Sequence, residues 1–157
     1  MLDQETLPTI LSGLGITALN EMQQEAYTAI HDNMETLLLA PTGSGKTLAF
    51  LLPVFSLLSK DVDQVQCMII VPTRELALQI EQVWRKMSTG FKVTCCYGGH
   101  DMQTEIRSLV EPPALLIGTP GRVLDHIHRR SFSARNVTTL VLDEFDKSLE
   151  LGFQDQL

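Results

Sequence analysis

The 157-residue chain is 44% hydrophobic and 20% charged, which suits about one soluble domain with a core of its own. No apolar run approaches the roughly 20 residues that a membrane-spanning helix needs, so no membrane partner is expected. The net charge of −7 excludes nucleic-acid binding by bulk electrostatics; any such contact must be local.

In chain order, the opening MLDQETLP is acidic and lacks the basic-then-apolar build of a secretion signal. Residues 1–45 hold six acids (Asp3, Glu5, Glu21, Glu25, Asp32 and Glu35) and no Lys or Arg. A helix is read around Gln23 and Gln24. Five short apolar runs follow: TLLLA (36–40), CMIIV (67–71), FKVTCCY (91–97), ALLIGT (114–119) and TLVLDE (139–144). Their shortness, with β-branched residues in most of them, predicts strands. Helices are predicted from Lys46 to about Leu58, where Pro53 threatens a kink, and over 74–88, 121–130 and 146–151. In 74–88, Leu76, Ile80, Val83, Trp84 and Met87 recur at helical spacing, which makes Trp84 a core or half-buried residue. Strands alternating with helices imply an α/β fold, a three-layer α/β/α arrangement around a parallel sheet. Ligands of such sheets bind beyond the carboxyl ends of the strands. Each run here hands over to polar residues at that end.

Cys67, Cys95 and Cys96 form no disulfide framework and no CxxC pair. Adjacent Cys95 and Cys96 point to opposite faces of a strand. Buried free thiols in a reducing cytoplasm are expected.

After TLLLA comes PTGSGKT, residues 41–47. Gly43 and Gly45 permit a backbone that turns N–H groups onto a phosphate, and the helix that starts there presents its positive end. Lys46 supplies a point charge and Thr47 a hydroxyl for magnesium. The general pattern opens on Gly where this chain has Ala40. A strand before, a helix after and GKT together favour nucleotide binding over a flexible glycine turn.

LVLDEFDKS, residues 140–148, runs apolar residues into Asp143, Glu144, Phe145 and Asp146. Buried carboxylates need a counter-charge. On a strand of the same sheet, Asp143 can reach a magnesium ion held by Thr47 and the phosphates, and Glu144 can orient or deprotonate an attacking water. Asp146 could cap the following helix. The basic cluster Arg122, Arg129, Arg130 and Arg135 is read partly as a solvated helix face. His126 and His128 are two apart on a helix and diverge, a poor metal pair. His100 has no identifiable partner.

The order Gln23, APTGSGKT (40–47), PTRELALQ (72–79), YGG (97–99), TPGR (119–122) and DEFD (143–146) resembles the DEAD-box RNA helicase family. The likeness is to its first, RecA-like P-loop NTPase domain and covers nearly all of 1–157. It implies an ATP-dependent RNA helicase with ATP and magnesium as cofactors. Ala40, Pro41, Thr42, Gly43, Ser44, Gly45, Lys46 and Thr47 would bind the nucleotide, with Lys46, Asp143 and Glu144 catalytic and Asp146 coupling. Gln23 would read the adenine edge; taken alone it is an ordinary polar helix residue. Pro72, Thr73, Arg74, Gly98, Gly99, Thr119, Pro120, Gly121 and Arg122 would line a track for the backbone of single-stranded or duplex RNA. For Arg74 an ion pair with Glu75 is an equal reading, and for the two glycines a plain turn. The resemblance further implies a monomer, a cytoplasmic location, and a second RecA-like domain that supplies arginines to the terminal phosphate.

The chain departs from the family pattern in four places. Phe145 stands where Ala is usual, and smaller neighbours are expected to make room for it. No aromatic precedes Gln23, leaving Leu2, Leu7 or Ile10 for an apolar contact with the base. LNEMQ replaces a common Pro-Thr pair. The Ser-Ala-Thr motif and the sheet's last strands are expected beyond Leu157, so the chain is read as an incomplete first domain, nearly inactive alone. Another phosphate-loop enzyme, such as a small-molecule kinase, accounts for 40–47 and 143–144 but leaves PTREL and TPGR without a purpose. A nucleotide-binding scaffold without turnover is the non-enzymatic alternative.

Overall fold

The computed structural model describes residues 5–157, which fall into two compact units. Leu2, one of the residues expected near the base, lies outside the described residues. Of the described residues, the first unit takes in those up to Leu58 together with 83–89; the second takes in 59–82 and 90–157.

The first unit is helical. Helix α1 (Thr6–Leu14) ends on Gly15, whose left-handed backbone at φ 70° lets its N–H donate to the Ser12 carbonyl and the Ile16 N–H to the Leu11 carbonyl. Helix α2 (Glu21–Asp32) starts with a capping box. The Asn20 side chain accepts from the Gln23 N–H, and the Gln23 side chain accepts from the Asn20 N–H. The unusual LNEMQ is therefore a helix start of its own kind. Helix α3 (Lys46–Leu57) is buried without a break from Leu48 to Val54, as an all-round apolar helix must be. It continues past Pro53 for four more residues. The last turn of α4 (Arg74–Lys86) belongs to this unit, and its Trp84, buried as expected, meets Phe55 edge-on with ring centroids 6.3 Å apart.

One predicted strand is absent. Residues 33–40 adopt no regular structure, with Leu37 75% and Leu39 83% exposed. Strand propensity becomes a strand only through pairing, and no described strand pairs with this segment. The phosphate loop thus has the helix after it but no strand before it.

The second unit holds the sheet. Strands β1 (Cys67–Ile70), β2 (Val93–Cys96), β3 (Leu115–Gly118) and β4 (Thr139–Leu142) lie in the order β2-β3-β1-β4, and every pairing is parallel. All four fall inside predicted runs. The crossovers are α4, α5 (Met102–Leu109) and α6 (Pro120–Arg129), and a short α7 (Phe145–Glu150) follows β4. Helix α5 was not anticipated from sequence; it starts where Asp101 accepts from the Thr104 N–H at 2.7 Å. Pro120 opens α6, the position where its missing N–H costs nothing. Strand β3 is buried along its whole length, whereas β4 alternates half-buried and exposed residues. Val65, Ile70, Cys96, Leu109, Leu116, Val123 and Phe132 form a core cluster of this unit. Cys96 is buried and Cys95 is half-buried, as opposite strand faces require.

The register fixes where the motifs emerge. Ile70 pairs with both Gly118 and Leu142, and Gly118 also pairs with Cys96. The four strands therefore end level with one another. Their next residues continue the ladder: Val71 N–H donates to Gly118, Thr119 to Cys96 and Asp143 to Ile70. YGG, TPGR, PTR and DE leave the sheet side by side, at the roughly 4.8 Å spacing of adjacent strands.

Candidate nucleotide and nucleic-acid site

In the first unit, residues 41–45 make a turn closed by the Ser44 N–H to the Pro41 carbonyl at 3.2 Å. Gly43 (φ 80°) and Gly45 (φ 85°) occupy left-handed backbone, which only glycine enters without strain. The Asn20 side-chain amide donates to the Ser44 carbonyl at 3.0 Å, and Gln23 Nε2 donates to the Gly45 carbonyl at 3.1 Å. In a trans peptide the C=O and the following N–H point opposite ways. Pinning these two carbonyls on the start of α2 therefore turns the Gly45 and Lys46 N–H groups the other way, where the first N–H groups of α3 lack helical partners. Ser44 Oγ is buried with no hydrogen-bond partner among the described residues. That orphaned hydroxyl, beside the Lys46 side chain at the start of a helix, fits a phosphate.

Gln23 sits apart from its expected role in one respect. Its side chain is buried and already bonds Asn20 and Gly45, so here it braces the phosphate loop. A Cβ at Gly45 would come within 2.5 Å of Gln23 Nε2. Asn20 was missed from sequence, although its place three residues before Gln23 is the signature of a capping box. Ile10, another residue weighed for the base contact, is buried and Leu7 half-buried.

In the second unit the level strand ends bring the remaining motifs together. Pro72 is buried, and Thr73 starts α4, its hydroxyl accepting from the Leu76 N–H at 3.3 Å. Arg74 lies 3.6 Å from Glu75, the ion pair left open by the sequence, and also sits 5.9 Å over the Tyr97 ring. Gly98 and Gly99 form an exposed turn after β2, with Gly99 at φ 83°. Thr119 and Pro120 start α6, and Gly121 is exposed. Arg122 is not held in solvent: its side chain is 13% exposed and donates to Glu105 and to the His100 carbonyl. Arg129 pairs with Asp125 at 2.8 Å one turn away, and Arg130 and Arg135 are exposed, a solvated face as read.

His100 does have a partner, contrary to the sequence reading. Its ring is 3.0 Å from Glu105 and stacks on Tyr97 at 4.9 Å. Glu105, fully buried on α5, was missed because an acid in a helix reads as a solvent-facing residue. His126 is buried on Glu105 and His128 exposed, the divergence expected.

At the end of β4 the Asp143 side chain is buried. Glu144 takes the cap position of α7 in left-handed backbone at φ 49°, a conformation that costs a non-glycine residue free energy and gathers at functional sites. Its carboxylate bonds Lys147 at 2.9 Å and holds that ammonium's pKa above its ordinary value. Asp146 stands in the first turn of α7 and does not cap it. Phe145 is 43% exposed. The ring is therefore only partly covered, and the described structure does not enclose it in a space left by smaller neighbours.

A glycine loop that fits phosphate, and a parallel α/β sheet with buried acid at a strand end, define a nucleotide-binding protein of the phosphate-loop class. The sequence profile of the DEAD/DEAH box helicase family matches residues 20–157, and the chain belongs to that family. It is 38% identical to the ATP-dependent RNA helicase CshA of Listeria monocytogenes over 99% of this chain and 30% of that protein. It is 39% identical to the DEAD-box ATP-dependent RNA helicase CshA of Bacillus subtilis over 89% of this chain and 30% of that protein. The ATP-dependent RNA helicase DeaD of Buchnera aphidicola matches at 38% over 92% of this chain and 25% of its own length. The chain thus spans under a third of these relatives. No described helix is long and apolar enough to cross a membrane.

Proposed function

We propose that this chain is the ATP-binding first RecA-like domain of an ATP-dependent RNA helicase. The observation that carries the reading is the level carboxyl edge of the sheet, where YGG, TPGR, PTR and DE emerge from four neighbouring strands. A small-molecule kinase has no use for the first three. The phosphate loop, Ala40 to Thr47, takes the nucleotide's phosphates through its N–H groups, Ser44 Oγ and Lys46. Gln23 serves the nucleotide by bracing that loop and, in this reading, by offering its amide to adenine. Thr47 and Asp143 would hold magnesium, which when bound offsets phosphate charge and aligns the terminal phosphoryl group. Glu144 positions the attacking water. Its ion pair with Lys147 is half-exposed and weakened by solvent screening, and so does not withhold it from that task. Asp146, exposed beside it, couples the acidic box to the RNA track.

RNA is held by its backbone along Pro72 to Arg74, Gly98, Gly99 and Thr119 to Arg122. Hydroxyls, glycine N–H groups, helix starts and single arginines can do this on an acidic protein. The complete protein acts as a cytoplasmic monomer in which a second RecA-like domain completes the ATP site. β4 is an outer strand of the described sheet, so its outer edge could take a further strand. The test is nucleotide affinity with and without magnesium. Wild type should bind ATP more tightly with the metal, and Asp143→Asn should lose that gain while keeping the metal-free affinity. Identical magnesium dependence in wild type and variant rules out Asp143 as a ligand.

A further inference from the structure

One buried carboxylate connects three of the motifs assigned to the RNA track. Glu105 lies on α5, outside every motif, and its side chain has no exposed surface. Its Oε1 accepts from the Tyr97 N–H at 2.9 Å and bonds His100 Nδ1 at 3.0 Å. Its Oε2 accepts from Arg122 at 3.3 Å and bonds His126 Nε2 at 2.5 Å. An ionised carboxylate has about four acceptor sites, and here four groups occupy them. His126 is anchored in turn by Ser131 Oγ at 3.0 Å. The second guanidinium nitrogen of Arg122 donates to the His100 carbonyl at 2.9 Å. Tyr97, whose amide Glu105 holds, stacks on His100 and lies under Arg74.

Cys96 Sγ joins Glu105 and His126 in a group whose ligand atoms lie within 4.8 Å of one another. A metal reading is disfavoured by two things. The Arg122 cation already neutralises the oxygen that a metal would need, and burial first, then the charge of Glu105, push the Cys96 thiol up to about 12. The cluster is a clamp on an arginine.

We propose that Glu105 is a positioning residue for the RNA-backbone track, fixing Arg122 and the Tyr97–His100 turn before RNA arrives. This rests on the RNA-binding reading given above. Pre-ordering lets the ligand bind without first immobilising a long side chain and a glycine turn. Only a carboxylate can accept from all four partners. A glutamine of the same shape must aim an NH2 donor at donors on one side or the other, so Arg122 or the turn is released.

The experiment is RNA-stimulated ATP turnover by the complete protein, wild type against Glu105→Gln, with melting temperatures beside it. Losing a buried bond to a charged group predicts an RNA KM raised by about tenfold or more, with kcat at saturating RNA held within about twofold. If Glu105→Gln does not fold, His100→Ala replaces it. It removes only a half-exposed ring, and a raised RNA KM with kcat held is again expected. An unchanged RNA KM, whether the variant melts like wild type or lower, overturns the proposal and leaves Glu105 a purely structural acid. Absence of RNA stimulation in wild type itself overturns the RNA reading on which the proposal rests, and so is told apart from its own failure.

Discussion

Burial separates the three cysteines chemically. Desolvation lifts the Cys67 thiol from an ordinary 9.0 to about 12, and Cys96 reaches about 12 for the same first cause. Because the folded state holds these protons more tightly, the stability linked to them is fully present below about pH 9. It is lost as pH climbs toward 12. The thiolate is the reactive form, so an alkylating reagent at pH 8 should modify Cys95 first, with Cys67 and Cys96 reacting only on unfolding. Mass analysis of the labelled native protein checks this, and early labelling of Cys96 contradicts it. At this scale the sequence was legible where chemistry is local. PTGSGKT names its own turn, and the two adjacent cysteines name their opposite faces. It was silent where partners are far apart in the chain. Glu105 meets Arg122 17 positions on and His126 21 positions on, and no local pattern announces either pairing. Gln23 fell between the two: its cap to Asn20 is local, its bond to Gly45 is not.

Elements show the same division. Four of the five predicted strands formed, because each has a neighbour in the sheet. TLLLA, with equal strand propensity, has none among the described residues and stays irregular. Helix α5 was overlooked because its polar residues mask a short apolar side, whereas α4 displayed its apolar stripe over 13 residues. Two substitutions test the elements that hold the motifs in place. A Cβ at Gly118 would lie 2.5 Å from the Cys96 carbonyl and against the Val123 side chain, where β2, β3 and α6 converge. Gly118→Ala should cost about 1–3 kcal/mol, read as a lowered denaturation midpoint; an unchanged midpoint refutes the close packing. Asn20→Ala removes the α2 cap and the bond to Ser44 together. It should cost about 1 kcal/mol of stability and weaken ATP binding as well, since the loop loses a brace. Loss of stability with full nucleotide affinity would show that Asn20 caps the helix and does nothing for the loop.

For the molecule as a whole, the proposed binding of RNA by an acidic chain is a paradox only if charge is counted rather than placed. The net charge of −7 sets the average field, but the proposed backbone recognition would use glycine amides, two helix starts and a clamped arginine on one sheet edge. Composition thus limited how RNA could be bound, while the parallel register, legible only in outline from alternating strands and helices, brought the motifs level. Family membership and the sheet edge together make ATP turnover that responds to RNA the central claim. The most direct measurement is the ATPase rate of the complete protein with and without single-stranded RNA. The account predicts a clear rise in turnover with RNA of any sequence, because backbone contacts carry little base information. Turnover indifferent to RNA, or raised instead by a small phosphate acceptor, would contradict it.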